Sequence, residues 1–270
     1  MSVIPVLWSQ SSSETAHISE LTKAVALNVS LLNRASTPVD PSNFLRALVR
    51  RFSSIRDAPF NFNSQQDASE ILQVLLDDFK GTSPLAEDII STTVQSTLTC
   101  DTCFCSSINE DKLDILAVSP KKHISASLIE LLQSQSLSGD NMWFCPQCCS
   151  EQNATIDSAI TKSGSILIVQ LKRYTTFQGN SFKDNKHVVC LPSHDHVLEI
   201  PIDQNNTITF SNRYTLVATI NHSGNLNAGH YWAFIKKGDS WLKCNDSSVL
   251  AVKPSFLNNS SAYLLFYVRV

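Results

Sequence analysis

The residues best suited to do chemistry lie in the last fifth of the chain. Asn221-His222-Ser223-Gly224 is followed by Gly229-His230-Tyr231-Trp232-Ala233-Phe234, and then by Trp241-Leu242-Lys243-Cys244-Asn245-Asp246. His230 stands after a glycine at the mouth of an apolar run, and Asn245 and Asp246 arrive one hairpin later. An imidazole that can take a proton from a thiol, and an amide or carboxylate that fixes its tautomer, form the base side of a thiol protease site. A histidine at a strand start is more often structural, and an Asn-Asp pair is also an ordinary turn. His222 competes with His230. His230 is preferred because it opens a strand and has Tyr231 and Trp232 beside it to hold it. Gly229 would leave the backbone open to a close-approaching partner chain.

A second constellation is cysteine-based. Cys100-Asp101-Thr102-Cys103 and Cys145-Pro146-Gln147-Cys148 are two Cys-X-X-Cys pairs. Two such pairs can close a tetrahedral, all-thiolate zinc site with no open position, which makes the metal structural. Unrelated buried cysteines and a redox pair are the competing readings, and no thioredoxin-like βαβ pattern supports the latter. Cys105 and Cys149 stand just outside the pairs as alternatives of register. The chain is too long to need disulfide staples, and no secretory signal is read at its start, so a reducing, intracellular compartment is expected, cytoplasmic or nuclear. The Asn-X-Ser/Thr sequons at Asn28, Asn153 and Asn259 then carry no weight.

The elements that must position these residues follow from composition and periodicity. The chain has 270 residues, 43% of them hydrophobic, and a net charge of −3 with acids and bases mixed throughout. That suits one large globular domain and argues against nucleic-acid or membrane partners. Apolar runs such as Ile166-Leu167-Ile168-Val169 are strand-length. Helical spacing of Ile18, Leu21, Val25 and Leu32 predicts a first helix capped at Ser13. Asp40-Pro41 starts a second, with Phe44, Leu45, Leu48 and Phe52 on one face. A third is expected over residues 65–79, capped at Ser64, with Gln66, Asp67 and Glu70 as a polar ledge in its first turns. Ile89 onward reads as strand, and a short helix is expected at 128–132. Strands are expected over residues 165–174, 187–191, 214–221, 231–236, 240–244 and 262–269. Helices first and strands after predict an α+β fold with a mostly antiparallel sheet.

Taken together, these segments resemble the ubiquitin-specific protease family of cysteine deubiquitinases. Gln65-Gln66-Asp67-Ala68-Ser69-Glu70 with Leu72, Leu75, Leu76 and Asp77 resembles the family's glutamine-rich helix box. Val94-Gln95-Ser96-Thr97-Leu98-Thr99-Cys100 and the second knuckle resemble its zinc-ribbon fingers. Leu171-Lys172-Arg173-Tyr174, Gly229-His230-Tyr231, Asn245-Asp246-Ser247-Ser248-Val249 and Ser261-Ala262-Tyr263-Leu264-Leu265-Phe266-Tyr267 resemble its palm strands and histidine box.

The resemblance implies a papain-like fold in a single domain over 1–270. Thumb helices would occupy about 1–80, fingers and part of the palm 81–165, and an antiparallel palm sheet 166–270. It implies ubiquitin and ubiquitinated proteins as partners. His230 is implied as general base, Asn245 as orienting residue and Asp246 as the adjacent acid. Gln66, Asp67, Gly229 and Tyr231 would lie along the ubiquitin tail, and Cys100, Cys103, Cys145 and Cys148 would hold zinc. The family's nucleophile belongs to an N-terminal cysteine box, whereas the first cysteine here is Cys100. Ser2 to Ser9 look like the part of that helix just after the nucleophile, which places the missing thiol and its oxyanion-hole asparagine before Met1. Cys190 and Cys244 occupy core positions of the family, so no other thiol is expected to serve His230. The chain alone is therefore expected to bind ubiquitin without hydrolysing it. A natural non-catalytic scaffold is the alternative, and a zinc-ribbon nucleic-acid module a weaker one.

Overall fold

Side-chain caps set the helix starts. In the computed structural model, residues 18–34, 39–55, 66–177, 180–184, 187–191, 197–204, 207–225 and 228–270 are described. Helix α1 (Glu20–Arg34) begins where the Ser19 hydroxyl accepts the backbone N–H of Thr22 at 2.9 Å. The Ser13 cap expected for it lies outside the described residues. Asp40 takes the Ser42 N–H at 2.9 Å and opens α2 (Ser42–Ile55), as its Asp-Pro signal predicts. The third helix starts later than expected. α3 (Ala68–Thr82) is capped by Asp67, whose carboxylate accepts Ser69 N–H at 2.7 Å. Asp67 and Gln66 therefore precede the helix, and of the expected ledge only Glu70 sits in its first turn. Ser64 and Gln65 lie outside the described residues.

The chain divides into two compact units, residues 1–89 and 90–270. In the first, Leu21 of α1, Ala47, Leu48 and Phe52 of α2, and Val74 of α3 form an apolar core, with Val25, Phe44, Ile71 and Leu75 against it. Leu32 stays exposed, so the apolar stripe of α1 ends before its last turn. Beside this core Asp78 is buried, accepting from Ser19 and Thr22 hydroxyls and from Arg51 Nε at 3.0 Å, which ties the three helices together. Ile89 and Ile90 end a short helix, α4 (Pro84–Ile90), where strand was expected.

The second unit is built on a four-stranded sheet, an eight-stranded sheet and two two-stranded hairpins. Its first part runs β1 (Thr92–Cys100), β2 (Ser106–Leu113), β3 (Leu116–Val118), α5 (Ile124–Leu131), β4 (Gln135–Leu137), β5 (Trp143–Cys145), β6 (Ser150–Gln152) and β7 (Ala154–Lys162). Then follow β8 (Ile166–Leu171), β9 (Tyr174–Phe177), β10 (Asn180–Lys183), β11 (Leu198–Gln204), β12 (Thr207–Gly224), β13 (Gly229–Lys237), β14 (Ser240–Asn245), β15 (Ser248–Val252) and β16 (Ala262–Arg269). One sheet is ordered β2-β1-β7-β4, and β5-β6 and β9-β10 are separate hairpins, the former carrying the second cysteine pair. The large sheet is ordered β15-β14-β13-β12-β16-β8-β3, with β11 also paired to β12. All its pairings are antiparallel except β3 with β8. β8 reads as a nearly continuous apolar run because both its faces are covered, and Leu167, Val169 and Leu171 are buried. The core of this unit joins the two larger sheets through Val94, Ile160, Leu116, Leu216, Phe234 and Leu265.

Residues 187–191 form no strand beyond a single bridge, His123 with Cys190. Their backbone groups are taken elsewhere. The His187 carbonyl accepts from Arg173 Nη1 at 2.7 Å, Cys190 N–H goes to Lys122 O at 2.7 Å, and Leu191 N–H to Asn258 Oδ1 at 2.8 Å. The α+β class with mainly antiparallel sheets stands as expected from the sequence.

Candidate active site and cysteine cluster

Two adjacent hairpins bring the base side of the site together. Gly229 and His230 open β13, and β13 pairs with β14 in the register Ala233 with Cys244. Asn245 therefore ends β14 beside the start of β13, and Asp246 enters the turn to β15 with φ of 51°. Aspartate tolerates this left-handed conformation better than most residues. His230 Nε2 donates to Asn245 Oδ1 at 2.5 Å, and Asp246 Oδ2 lies 3.8 Å from the same nitrogen. The amide oxygen only accepts, so Nε2 carries the hydrogen and Nδ1 keeps its lone pair. The ring is stacked on Trp232 with centroids 6.3 Å apart, and Lys243 Nζ sits 5.4 Å from the Trp232 ring. His230 is close to half exposed, so part of its ring is open to groups from outside the chain. Such an imidazole can accept a proton and hold it as imidazolium. Among the described residues, which include all eight cysteines, no thiol lies within hydrogen-bond distance of His230.

His222, the competing histidine, is buried and held by Lys183 and Tyr174. Lys183 Nζ donates to its Nδ1 at 2.8 Å and to its backbone carbonyl at 2.8 Å, and the Tyr174 hydroxyl lies 2.9 Å from the same Nδ1. Burial holds the Lys183 ammonium below its usual range, and the Arg173 charge adds to this. Tyr231 covers the imidazole with centroids 4.4 Å apart. This arrangement gives Gly229 a packing role within the chain. A Cβ there would stand 2.0 Å from His222 Nε2 and 2.4 Å from Ser223 O, so the open space is filled by the chain's own histidine. His222 and Lys183 are structural partners that motif spacing does not reveal, because Lys183 lies 39 residues from His222.

Gln66 and Asp67 belong to the first unit, half-buried at the start of α3. Asp67 is engaged as the helix cap. Cys190 and Cys244 are partly exposed, not core residues, and burial raises the Cys244 thiol.

The four cysteines of the two pairs converge. The sulfurs of Cys100, Cys103, Cys145 and Cys148 all lie within 4.8 Å of one another. Cys103 to Cys145 is 3.6 Å and Cys100 to Cys148 is 4.0 Å. Four thiolates at about 2.3 Å from one zinc ion are about 3.8 Å apart, so this donor set fits a tetrahedral zinc site. In both knuckles the residue after the second cysteine is left-handed, Phe104 at φ 58° and Cys149 at φ 54°. The turn closes with Phe104 N–H on Cys100 O at 3.0 Å and Cys148 N–H on Cys145 Sγ at 3.4 Å. Burial raises the Cys145 thiol, but N–H donation from Cys148 and the neighbouring thiols of Cys105 and Cys103 outweigh it and bring it to about 6. The hydrogen bonds of Cys145 and then Cys103 act the other way on Cys105, and with burial they raise its thiol.

A family model described as "Ubiquitin carboxyl-terminal hydrolase" matches residues 6–267. Ubiquitin carboxyl-terminal hydrolase 9 of Arabidopsis thaliana is 33% identical over 178 residues, covering 63% of this chain and 19% of that protein. Ubiquitin carboxyl-terminal hydrolase 17-like protein D of Mus musculus is 27% identical over 239 residues, 82% of this chain and 43% of that protein. The chain thus spans less than half the length of these curated relatives. Among solved structures, a chain in the SAGA Ubp8/Sgf11/Sus1/Sgf73 DUB module bound to ubiquitin aldehyde matches with a TM-score of 0.78 and 24% identity, over 99% of this chain and 64% of that one. With its fold shared and its family model matched along nearly its whole length, the chain belongs to the ubiquitin carboxyl-terminal hydrolase family, as a ubiquitin-specific protease domain.

Proposed function

We propose that residues 1–270 act as one ubiquitin-recognising domain that supplies the base half of a deubiquitinating thiol protease. Its partners are ubiquitin and ubiquitinated proteins, and its chemistry is hydrolysis after the ubiquitin C-terminal glycine. The observation that carries this reading is the 2.5 Å bond from His230 Nε2 to Asn245 Oδ1. It supports His230 as general base: Nδ1 takes the thiol proton, and the Asn245 carbonyl and Asp246 carboxylate offset the charge of the imidazolium. Gln66, Asp67, Gly229 and Tyr231 are read as contacts of the ubiquitin tail, from family resemblance. Zinc on Cys100, Cys103, Cys145 and Cys148 is read as structural, fixing the two knuckles in one geometry with no position open for a reactant.

The sequence holds no cysteine before Cys100. The chain by itself is therefore proposed to bind ubiquitin and leave its bonds intact, because a base without a nucleophile cannot form the acyl-enzyme. The test pairs two measurements on the purified chain. Calorimetry with ubiquitin is expected to give saturable binding, and a thiol-reactive ubiquitin probe is expected to form no adduct. Stoichiometric labelling of any cysteine overturns the inactivity, and absence of binding overturns the ubiquitin reading.

A further inference from the structure

The finger cluster holds one thiol more than a tetrahedral ion can use. Cys105 is two residues past the first pair, and its sulfur lies 3.3 Å from Cys145 Sγ. Two ligands of one zinc ion stand about 3.8 Å apart, so Cys105 is too close to Cys145 to be a co-ligand in this geometry. It also falls outside the set of four whose sulfurs all lie within 4.8 Å of one another. The knuckle turn aims it there: Phe104 takes the left-handed conformation and Cys100 N–H bonds to Cys105 O at 2.9 Å, so the chain folds back over the metal-binding sulfurs. Cys145 is fully buried, whereas Cys105 is partly exposed. Cys149, the sixth cysteine of the region, is exposed and bonds only to the Pro146 carbonyl at 3.4 Å.

We propose that Cys105 and Cys145 form an oxidation site, in which Cys105 is the thiol that meets a peroxide and Cys145 the ligand it withdraws from the metal. This rests on the zinc reading of the four-cysteine set. Cys105 gives up its proton and its sulfur attacks a hydrogen peroxide oxygen; the O–O bond breaks, the departing hydroxide takes the proton as water, and Cys105 sulfenic acid remains. The Cys145 thiolate then attacks the Cys105 sulfur, an S–S bond forms and hydroxide leaves. Two cysteines lose two electrons and peroxide gains them. Closing the bond needs the two sulfurs to approach from 3.3 Å to about 2.05 Å. Cys145 is then lost as a ligand, and the remaining three thiolates no longer close a tetrahedral site, so zinc is released. A reductant of the thioredoxin or glutathione class reverses the change. The surplus thiol would thereby make a structural ion responsive to oxidants.

The test uses the zinc-loaded chain and hydrogen peroxide. Zinc release is followed with a chromogenic chelator, and disulfides are mapped by mass spectrometry of non-reduced peptides. One equivalent of zinc leaving in step with a Cys105–Cys145 disulfide is the expected result. Cys105→Ser is expected to keep full zinc stoichiometry and slow release about tenfold or more, because the attacking sulfur is no longer held in place. Cys149→Ser is expected to match the parent. Release from Cys105→Ser at the parental rate overturns the proposal, as does a disulfide that omits Cys105. The mapping is repeated on metal-free chain: if zinc never loads, the zinc reading fails, and the presence or absence of the same disulfide still decides the oxidation site.

Discussion

Gly229 and Phe104 show how differently single residues can constrain this molecule. Gly229 has no room for a side chain, since a Cβ would meet His222 Nε2 at 2.0 Å and the Ser223 carbonyl at 2.4 Å. The backbone oxygen cannot yield without moving β12. Gly229→Ala is expected to cost about 1–3 kcal/mol in urea unfolding, and to break the 2.5 Å His230–Asn245 bond, visible as a shifted imidazole resonance of His230. Phe104 is the reverse case. It holds a left-handed backbone at φ 58° while its ring is largely exposed and packs on little. Phe104→Gly removes the strain and is expected to stabilise the zinc-loaded chain by about 0.5–1 kcal/mol in the same assay. Types and spacing left both Asn245 and Asp246 open as the partner of His230; the family resemblance singled out Asn245, which bonds to it at 2.5 Å. The packing of His222 where a Gly229 side chain would stand was not legible, because His222 lies on another strand.

At the scale of elements, local chemistry fixed what sequence could reveal. Asp40-Pro41 opens α2 as its residues imply, and the Ser42 hydroxyl and N–H hold the Asp40 carboxyl below its usual range. A carboxyl with a depressed folded pKa stabilises fully above the ordinary value of about 3.9 and loses that contribution as pH falls through the folded value. Acid titration from pH 5 downward is thus expected to raise amide exchange in the first turn of α2, and Asp40→Ala to show that fraying already at pH 5 and above. The start of α3 was misplaced because Asp67 and Ser64 are both good caps, and composition cannot choose between them. β13, β14 and β16 were legible from aromatic and β-branched runs. β2, with its polar sequence Ser-Ser-Ile-Asn-Glu-Asp-Lys-Leu and every residue exposed, carries no such signal and exists because β1 pairs with it along its length. Residues 187–191 look like a strand, but Arg173 and Asn258 take the hydrogen bonds that a neighbour would need.

For the whole molecule, the finger cluster and the large sheet should respond separately to loss of metal. The β5-β6 hairpin is only three residues per strand and is a sheet of its own, so few backbone bonds hold it. Chelation of zinc is expected to expose amides over residues 100–105 and 143–152 to exchange, while β12 and β16 keep their protection. Hydrogen-exchange mass spectrometry with and without chelator reads this directly, and uniform loss of protection contradicts it. A metal that organises only a few turns can still contribute several kcal/mol when its four ligands are otherwise loosely held. Periodicity foretold the α+β class, since helical spacing precedes the strand-like runs. The order of strands was beyond it, because pairing joins segments far apart in the chain.

That order has a consequence for how the protein comes into being. β16 lies between β12 and β8, pairing Leu264 with Gln170 on one side and Leu265 with Thr219 on the other. A ribosome that has made everything through Ser261 has therefore produced two half-sheets with no strand hydrogen-bonded between them. Until Ala262 to Arg269 emerge, β8 displays an apolar edge, Ile-Leu-Ile-Val, to every other nascent chain nearby. The large sheet is joined only when β16 is available, so the interval between the synthesis of β8 and that of β16 is when its open edges are most exposed to misassociation.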